Sequence, residues 1–541
     1  MLWCKVQQSG QERRRVLSGS STVMVTALVV SLFFLYAGPV FGGDEGDNEI
    51  VKEFKDYFKK GRSVAERIEA ILVLKDVNSL AATEALTIAF DDEDFKVREA
   101  AIATISTYSD AASARYLIDS YILNKREKKH SRLACAAEAL GGMGINSAVA
   151  PLGELFKRAR DWELKRAIGT ALGRIKSPES LPVLTELFGD KDPTLRIVAI
   201  DGMAEINRPD LCKDQILDVM ANDKNWQVRA SAIDAVRRMR FKEGIQPLIE
   251  RMREEKGRLR GDAYVALKEI TFHNYDDDPE TWQRFWDAAR DTYEVPDYEK
   301  VMAAREKREK EGTRYSRPAA QFLGIPTKSK RIIFVIDISG SMETQVVEIE
   351  RFRASGKDYD SFQRLEIVKS ELVSTIENLG NGVEYNILAF ATEIKWWKKK
   401  LVPTNILNKN SAAKFVRRLK PLGGARAGFR SRAGLASASL EQGKTNTYAA
   451  LLAAFGVPDD EKKSQTYDKN LKSRVDTIYF LSDGCPTVGK VIDQHEIRAE
   501  VKRINKVRKI VLHTIAIGDF QKNFMKALAK DNGGVYVDLG K

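Results

Sequence analysis

From Ser63 to about Ile270 the chain repeats itself. The stretches RIEAILVL, VREAAIATI, RLACAAEAL, LKRAIGTAL, LRIVAIDGM, VRASAIDAV and LRGDAYVAL can be laid over one another. Their phased positions are Arg67, Arg98, Leu133, Lys165, Arg196, Arg229 and Arg260, a period of about 31–35 residues. Seven residues after each stands an apolar side chain: Leu74, Ile105, Leu140, Leu172, Met203, Val236 and Leu267. Two helical turns separate the members of each pair, so both lie on one helix face. Second apolar segments such as SAVAPLGELF, ESLPVLTELF and EGIQPLIERM lie between, with Pro151, Pro182 and Pro247 near their starts, where a helix tolerates proline. Each unit is a helix pair that cannot bury its apolar face alone, so neighbours must stack into a curved solenoid.

These units resemble HEAT repeats of the short, bacterial type over roughly residues 50–272. The resemblance implies either a structural spacer or a concave surface for a protein partner, and neither is catalytic. The phased arginines are expected to be hydrogen-bond donors between repeats. Beyond the last repeat, WQRFWDAAR with Trp282 and Phe285 predicts an amphipathic helix that caps the array within 273–297. Asp276, Asp277 and Asp278 lack the alternate spacing of a calcium loop and suit a polar turn before that helix. Residues 298–327 are largely charged or small, a linker or hinge.

From residue 328 the period changes. Short apolar runs RIIFVID (331–337), VEYNILAFA (383–391), DTIYFLSD (476–483), KIVLHTIAIG (509–518) and VYVDL alternate with helical segments at 365–379, 411–419, 446–455, 495–505 and 522–531. A further extended piece is expected near WWKKKLVP. Such alternation implies a doubly wound α/β sheet, in which ligands bind beyond the carboxyl ends of the strands. Three segments converge on that edge: FVIDISGS, GKTNT (443–447) and YFLSDG (479–484). They supply Asp337, Ser339, Ser341, Thr445 and Asp483, all hard oxygen donors suited to Mg²⁺, or to Mn²⁺ or Ca²⁺. Two carboxylates do not fill an octahedral shell, so room is left for water or an outside carboxylate.

These three pieces in this order resemble the metal-ion-dependent adhesion site (MIDAS) of the von Willebrand factor A (VWA) domain, and the resemblance covers 328–541. It implies hydroxyl ligands at Ser339, Ser341 and Thr445, with Asp337 and Asp483 acting largely through bound water. A VWA fold that retains the residues and binds nothing is the alternative. One departure from the family is plain: Gly423-Gly424 is separated from Gly443-Lys444-Thr445 by the insertion 425–442. The insertion's end, ASLEQGKT, satisfies a relaxed phosphate-loop pattern. No strand precedes it to deliver its amides to phosphate, so a P-loop NTPase is disfavoured. The fold class is therefore multidomain: an α-solenoid of HEAT-like helix pairs followed by a doubly wound, Rossmann-like VWA domain.

At the N-terminus, Arg13–Arg15, an apolar run from Val23, the small residues of AGPVFGG and an acidic start follow in the order of an export signal over residues 1–42. An uncleaved membrane anchor fits the same residues. Either reading places the rest of the chain outside the cytoplasm, in the periplasm, at the cell surface or secreted. The four cysteines and four histidines are scattered, which disfavours zinc, a disulfide scaffold and a Cys–His catalytic pair; Cys485 reads as a plain loop residue. Between Lys395 and Lys444 there are thirteen Lys and Arg against one acid, Glu441, an excess equal to the chain's formal net charge of +12. This segment is either a solvated face or a rim that draws an anionic partner: an acidic protein, an anionic polysaccharide or a lipid headgroup. Nucleic acid is not expected. The composite reading is a non-enzymatic, extracytoplasmic binding or adhesion protein whose VWA domain takes an acidic ligand through a divalent ion. A metal-dependent coupling subunit of an envelope-assembly or chelatase-like ATPase machine is the alternative.

Overall fold

The computed structural model describes residues 44–59, 61–299, 301–302, 321–322, 325–326, 329–346, 349, 359, 361–423, 443–457, 474–517 and 522–539. The expected signal or anchor, most of the linker and the 425–442 insertion lie outside the described residues.

The repeated segments form one row of stacked helices: α1 (Val64–Val73), α2 (Phe95–Ile105), α3 (His130–Met143), α4 (Trp162–Ile175), α5 (Pro193–Ile206), α6 (Trp226–Met239) and α7 (Arg258–Thr271). Shorter partners, including Val149–Arg158, Leu181–Phe188 and Ile245–Glu254, make the second row. All seven apolar positions singled out by the period, Leu74 to Leu267, are fully buried. The phased cations do join neighbouring repeats. Arg196 donates to both oxygens of Asp223 at 2.7 and 2.9 Å, Arg229 to Glu255 at 2.6 Å, and Arg67 to Asp92 at 2.9 Å. Arg98 instead donates to the carbonyls of Asp92 and Glu93. Helix α8 (Pro279–Ala289) closes the array with Trp282 and Trp286 buried, and Asp278 caps its first turn.

The first row is closely packed where α4 crosses α5. A side chain on Gly173 would place its Cβ 2.6 Å from the Gly202 Cα, a clash with backbone that has no rotamer to relieve it. A row packed this tightly is the inner, concave side of the array.

The second half is a seven-stranded sheet. Its strands are β1 (Arg331–Asp337), β2 (Glu384–Phe390), β3 (Ile394–Trp396), β4 (Val402–Pro403), β5 (Thr477–Ser482), β6 (Val511–Ala516) and β7 (Tyr536–Asp538). The order is β3-β2-β1-β5-β6-β7, with β4 also on β2; all neighbours are parallel except β3 and β4. Strands β1, β2 and β5 are buried almost throughout, as a sheet covered on both faces requires. Helices α9 (Arg364–Asn378) and α10 (Ile406–Arg417) cover one face. Helices α11 (Thr447–Ala454), α12 (Gln494–Arg508) and α13 (Lys522–Asp531) cover the other. Helix α10 begins five residues before the expected 411, because the Asn405 side chain caps the Asn408 N–H. Ile406 and Leu407 are 69% and 76% exposed, and so break the amphipathic pattern that would have signalled the first turn.

The two halves touch. Helix α12 lies against the inner row, with Val507 inside the solenoid's apolar core. Lys96 meets Glu496 at 2.8 Å, Arg503 meets Glu99 at 3.5 Å and stacks on Phe95, and Lys509 meets both oxygens of Asp201 at 2.9 and 3.0 Å. Arg258 donates to the Asp476 carbonyl, and Arg258 and Arg331 both lie over the Trp226 ring. Asp476, Arg331 and Lys509 all stand at or just before the amino-terminal ends of strands. The solenoid therefore holds the sheet along α12 and beneath its amino-terminal edge. The concave surface left open to an outside partner by the repeat pattern carries a helix of the same chain.

Gly173→Val is expected to destabilise the solenoid by about 3 kcal/mol, the upper end of what overpacking costs, and so to lower its urea midpoint. A denaturation curve followed by far-UV circular dichroism checks this.

Candidate metal centre

The chain leaves β1 toward β2 on one side and reaches β5 on the other, so the carboxyl end of β1 is the switch point of the sheet. Asp337 is the last residue of β1 and is fully buried. Its Oδ1 accepts from the Ser339 backbone N–H at 2.8 Å, and its Oδ2 accepts from the Ser482 hydroxyl at 2.6 Å. The register explains the second bond: Ile336 lies opposite Leu481, which places Ser482 beside Asp337.

One residue on, Asp483 is buried too. Its Oδ1 accepts from the Ser341 hydroxyl at 2.7 Å, and the Ser339 and Ser341 hydroxyls are 3.1 Å apart. Gly484 keeps open the space beside them. A Cβ there would stand 3.4 Å from Ser341 Oγ and 3.5 Å from Thr445 Oγ1. The threonine loop is tied to the first by the Gly340 N–H, which donates to the Gly443 carbonyl, and to β2 by the Asn446 N–H, which donates to Ala391. The Thr445 backbone N–H donates to Thr487, and Asn446 caps helix α11. All five candidate residues therefore meet at one edge. The 425–442 insertion does not displace Thr445.

The donor set suits a hard divalent cation: two buried carboxylates, the Ser341 and Thr445 hydroxyls beside the space left by Gly484, and the Ser339 hydroxyl next to that of Ser341. Among the described residues no three His, Cys, Asp or Glu side chains cluster, so such an ion would rest on hydroxyls as much as on carboxylates. Burial and then the charge of Asp483 push Asp337 up to about 7, from an ordinary value of about 4. Both causes act the same way: the charged form loses its solvent and faces a like charge.

Three participants were not singled out in the sequence. Ser482 was visible in YFLSDG, and its partner followed from the parallel register. Thr487 lies in a loop with no pattern to mark it. Arg364 is the least obvious: it is buried, and its guanidinium donates to Asp483 Oδ2 at 2.7 Å. It opens helix α9, where a positive charge opposes the helix dipole, and that misplacement was its only signal. Near the same rim, the extra sequence after Met342 departs and returns as a short antiparallel pair, with Val346 N–H to Phe362 and Arg364 N–H to Thr344. Trp397 is packed against Tyr385, whereas Trp396 is exposed. Of the relaxed phosphate-loop pattern, Ala438 lies outside the described residues.

Comparison with known proteins agrees with this architecture. Residues 121–204 and 187–268 match the family model of HEAT repeats, and residues 357–538 match that of the von Willebrand factor type A domain. The chain thus carries HEAT repeats followed by a VWA domain. Inter-alpha-trypsin inhibitor heavy chain H4 of Homo sapiens is 27% identical over 213 residues, which is 39% of this chain and 18% of that protein. The chain thus spans less than a fifth of the length of that curated relative. Among solved structures, a von Willebrand factor type A protein from Catenulispora acidiphila is 15% identical, with a TM-score of 0.26 over 40% of this chain and 39% of that one. The CpcE–CpcF complex of phycocyanin lyase from Nostoc is also 15% identical, with a TM-score of 0.27 over 47% and 96%.

The sign of the Asp337 shift sets a pH dependence. In the metal-free fold this carboxyl holds its proton to about 7, whereas in the unfolded chain it loses it near 4. The folded state therefore binds more protons between those values, and its stability falls as pH rises through that window. In EDTA, Asp337→Asn is expected to flatten this fall and to melt higher than the parent at pH 7.5. Thermal melts at pH 5 and 7.5 check it.

Proposed function

We propose that the VWA domain binds an acidic protein partner through a divalent cation held at the carboxyl ends of β1 and β5. The observation that carries this reading is Asp337, a buried carboxylate beside a second buried carboxylate and an open space lined by hydroxyls. Ser339, Ser341 and Thr445 would hold the ion directly, with Asp337 and Asp483 completing its surroundings. Bound there, the ion supplies a positive centre that an incoming carboxylate can complete. The chain's own residues prepare that centre: Ser482 and the Ser339 N–H orient Asp337, and Arg364 fixes one oxygen of Asp483 so that the other meets the Ser341 hydroxyl.

A basic groove supports an acidic partner. A cavity of about 800 Å³ begins at Ile338, directly beside the site, and is walled by Lys395, Lys398, Lys414, Arg418 and Lys420. Trp397, Leu407 and Phe415 add apolar surface. An acid flanked by an apolar side chain fits both features. The HEAT array serves as the scaffold that holds the VWA domain. The non-enzymatic role belongs to this proposal, and so does the extracytoplasmic setting, which rests on the order of basic, apolar and small residues in 1–42. Among the described residues no helix is long and apolar enough to cross a membrane.

Mg²⁺ titrated into the full chain at pH 7.5 is expected to bind once, and the Asp337→Ala/Ser339→Ala variant to release no heat. Capture from an envelope extract with Mg²⁺, with EDTA, and with that variant is expected to retain the partner only in the first. An identical set of proteins under all three conditions would overturn metal-dependent binding.

A further inference from the structure

Between the solenoid and the VWA domain lies a second cavity, of about 960 Å³, within the range of small-ligand sites. It is remote from the metal edge: its walls are the inner row of the solenoid, α12 and the end of α13. All six carboxylates on its wall already face an arginine. Glu138 takes Arg166 at 3.0 Å, and Glu99 takes Arg503 at 3.5 Å. Four cations remain over: Arg174 in the last turn of α4, Lys502 and Lys506 on α12, and Lys530 in the last turn of α13. None has a carboxylate partner among the described residues.

This surplus is arranged against itself. Lys502 and Lys506 are one helical turn apart on the same face, a like-charge pair that costs stability. Arg174 faces Lys506 across the domain boundary, where ordinary docking would set opposite charges. Lys506 is open to water inside the cavity yet surrounded by protein, and its amine is pushed down to about 8, by burial first and by Arg174 second. Elsewhere the docking includes complementary pairs, Lys96 with Glu496, Arg503 with Glu99 and Lys509 with Asp201, whereas these four cations on the cavity wall have no such partner among the described residues.

We propose that the interdomain cavity binds a small multivalent oxyanion of the oligophosphate class, held by Arg174 of the solenoid and by Lys502, Lys506 and Lys530 of the VWA domain. Three or more phosphoryl groups match four separated cations where a single phosphate reaches only some of them. Because the cations come from both halves of the chain, the ligand bridges them and strengthens their docking. The inference is independent of the metal reading.

The test uses the full chain in EDTA with no divalent ion, and sodium tripolyphosphate as the probe. Isothermal titration is expected to show saturable binding of one tripolyphosphate per chain, and a raised melting temperature. Arg174→Ala/Lys506→Ala is expected to weaken it by about tenfold or more, with a melt in the absence of probe no lower than the parent's, since the change removes facing like charges and neither side chain has a carboxylate partner among the described residues. Lys398→Ala/Lys414→Ala, in the groove beside the metal edge, is expected to leave binding unaltered. Three results would overturn the proposal: no saturable binding at millimolar probe, equal weakening by both variant pairs, or weakening by the groove pair alone. The second would show diffuse adsorption to a basic protein, and the third a site at the metal rim.

Discussion

A carboxylate at the end of a buried parallel strand has no water to solvate it, and the second half of the chain is organised around that fact. Asp337 ends β1 and Asp483 follows the last residue of its neighbour β5, so the register that builds the sheet also brings their charges close. The surroundings answer with every donor the local backbone and side chains allow: the Ser339 N–H, the Ser341 and Ser482 hydroxyls, and the Arg364 guanidinium. These still leave Asp337 short of positive charge. The loops that carry the hydroxyls are tied to one another by backbone hydrogen bonds, so the arrangement needs no cation to form.

Much of this was legible in the residues. The repeat is read from a strict constraint: a helix pair with one apolar face can only be buried by its copy, so position and burial agree at all seven phased sites. The strands were legible because a strand buried on both faces must be a short, unbroken apolar run. The five candidate residues could be grouped from the sequence because a doubly wound sheet exposes one edge to ligands: four of them follow from the ends of β1 and β5, and Thr445 stands just before helix α11.

What stayed hidden depended on partners distant in the chain. Arg364 is separated from Asp483 by 119 residues, and only the folded sheet brings them together. The docking of α12 into the solenoid was equally invisible. Ile497, Val501 and Ile504 face its own sheet, as in any such helix, and apart from Val507 its outward face is a run of charges that reads as solvated. Lys96, Glu99 and Asp201 on the solenoid look like surface residues for the same reason. Complementary charge between two units has no period, and so no local signature. The start of α10 was missed on different grounds: Ile406 and Leu407 point outward, against the rule by which apolar residues mark a helix face.

The place where the solenoid holds the sheet has a mechanical meaning. Its contacts run along α12 and reach the amino-terminal ends of β1, β5 and β6, and the candidate metal edge lies at the opposite ends of β1 and β5. A partner tugging on that edge would load those strands lengthwise, in the direction in which their ladder of hydrogen bonds shares the strain as shear. The load then passes into α12 and the ion pairs that anchor it on the inner row. The solenoid is placed as a grip is placed on a tool, at the end away from the work.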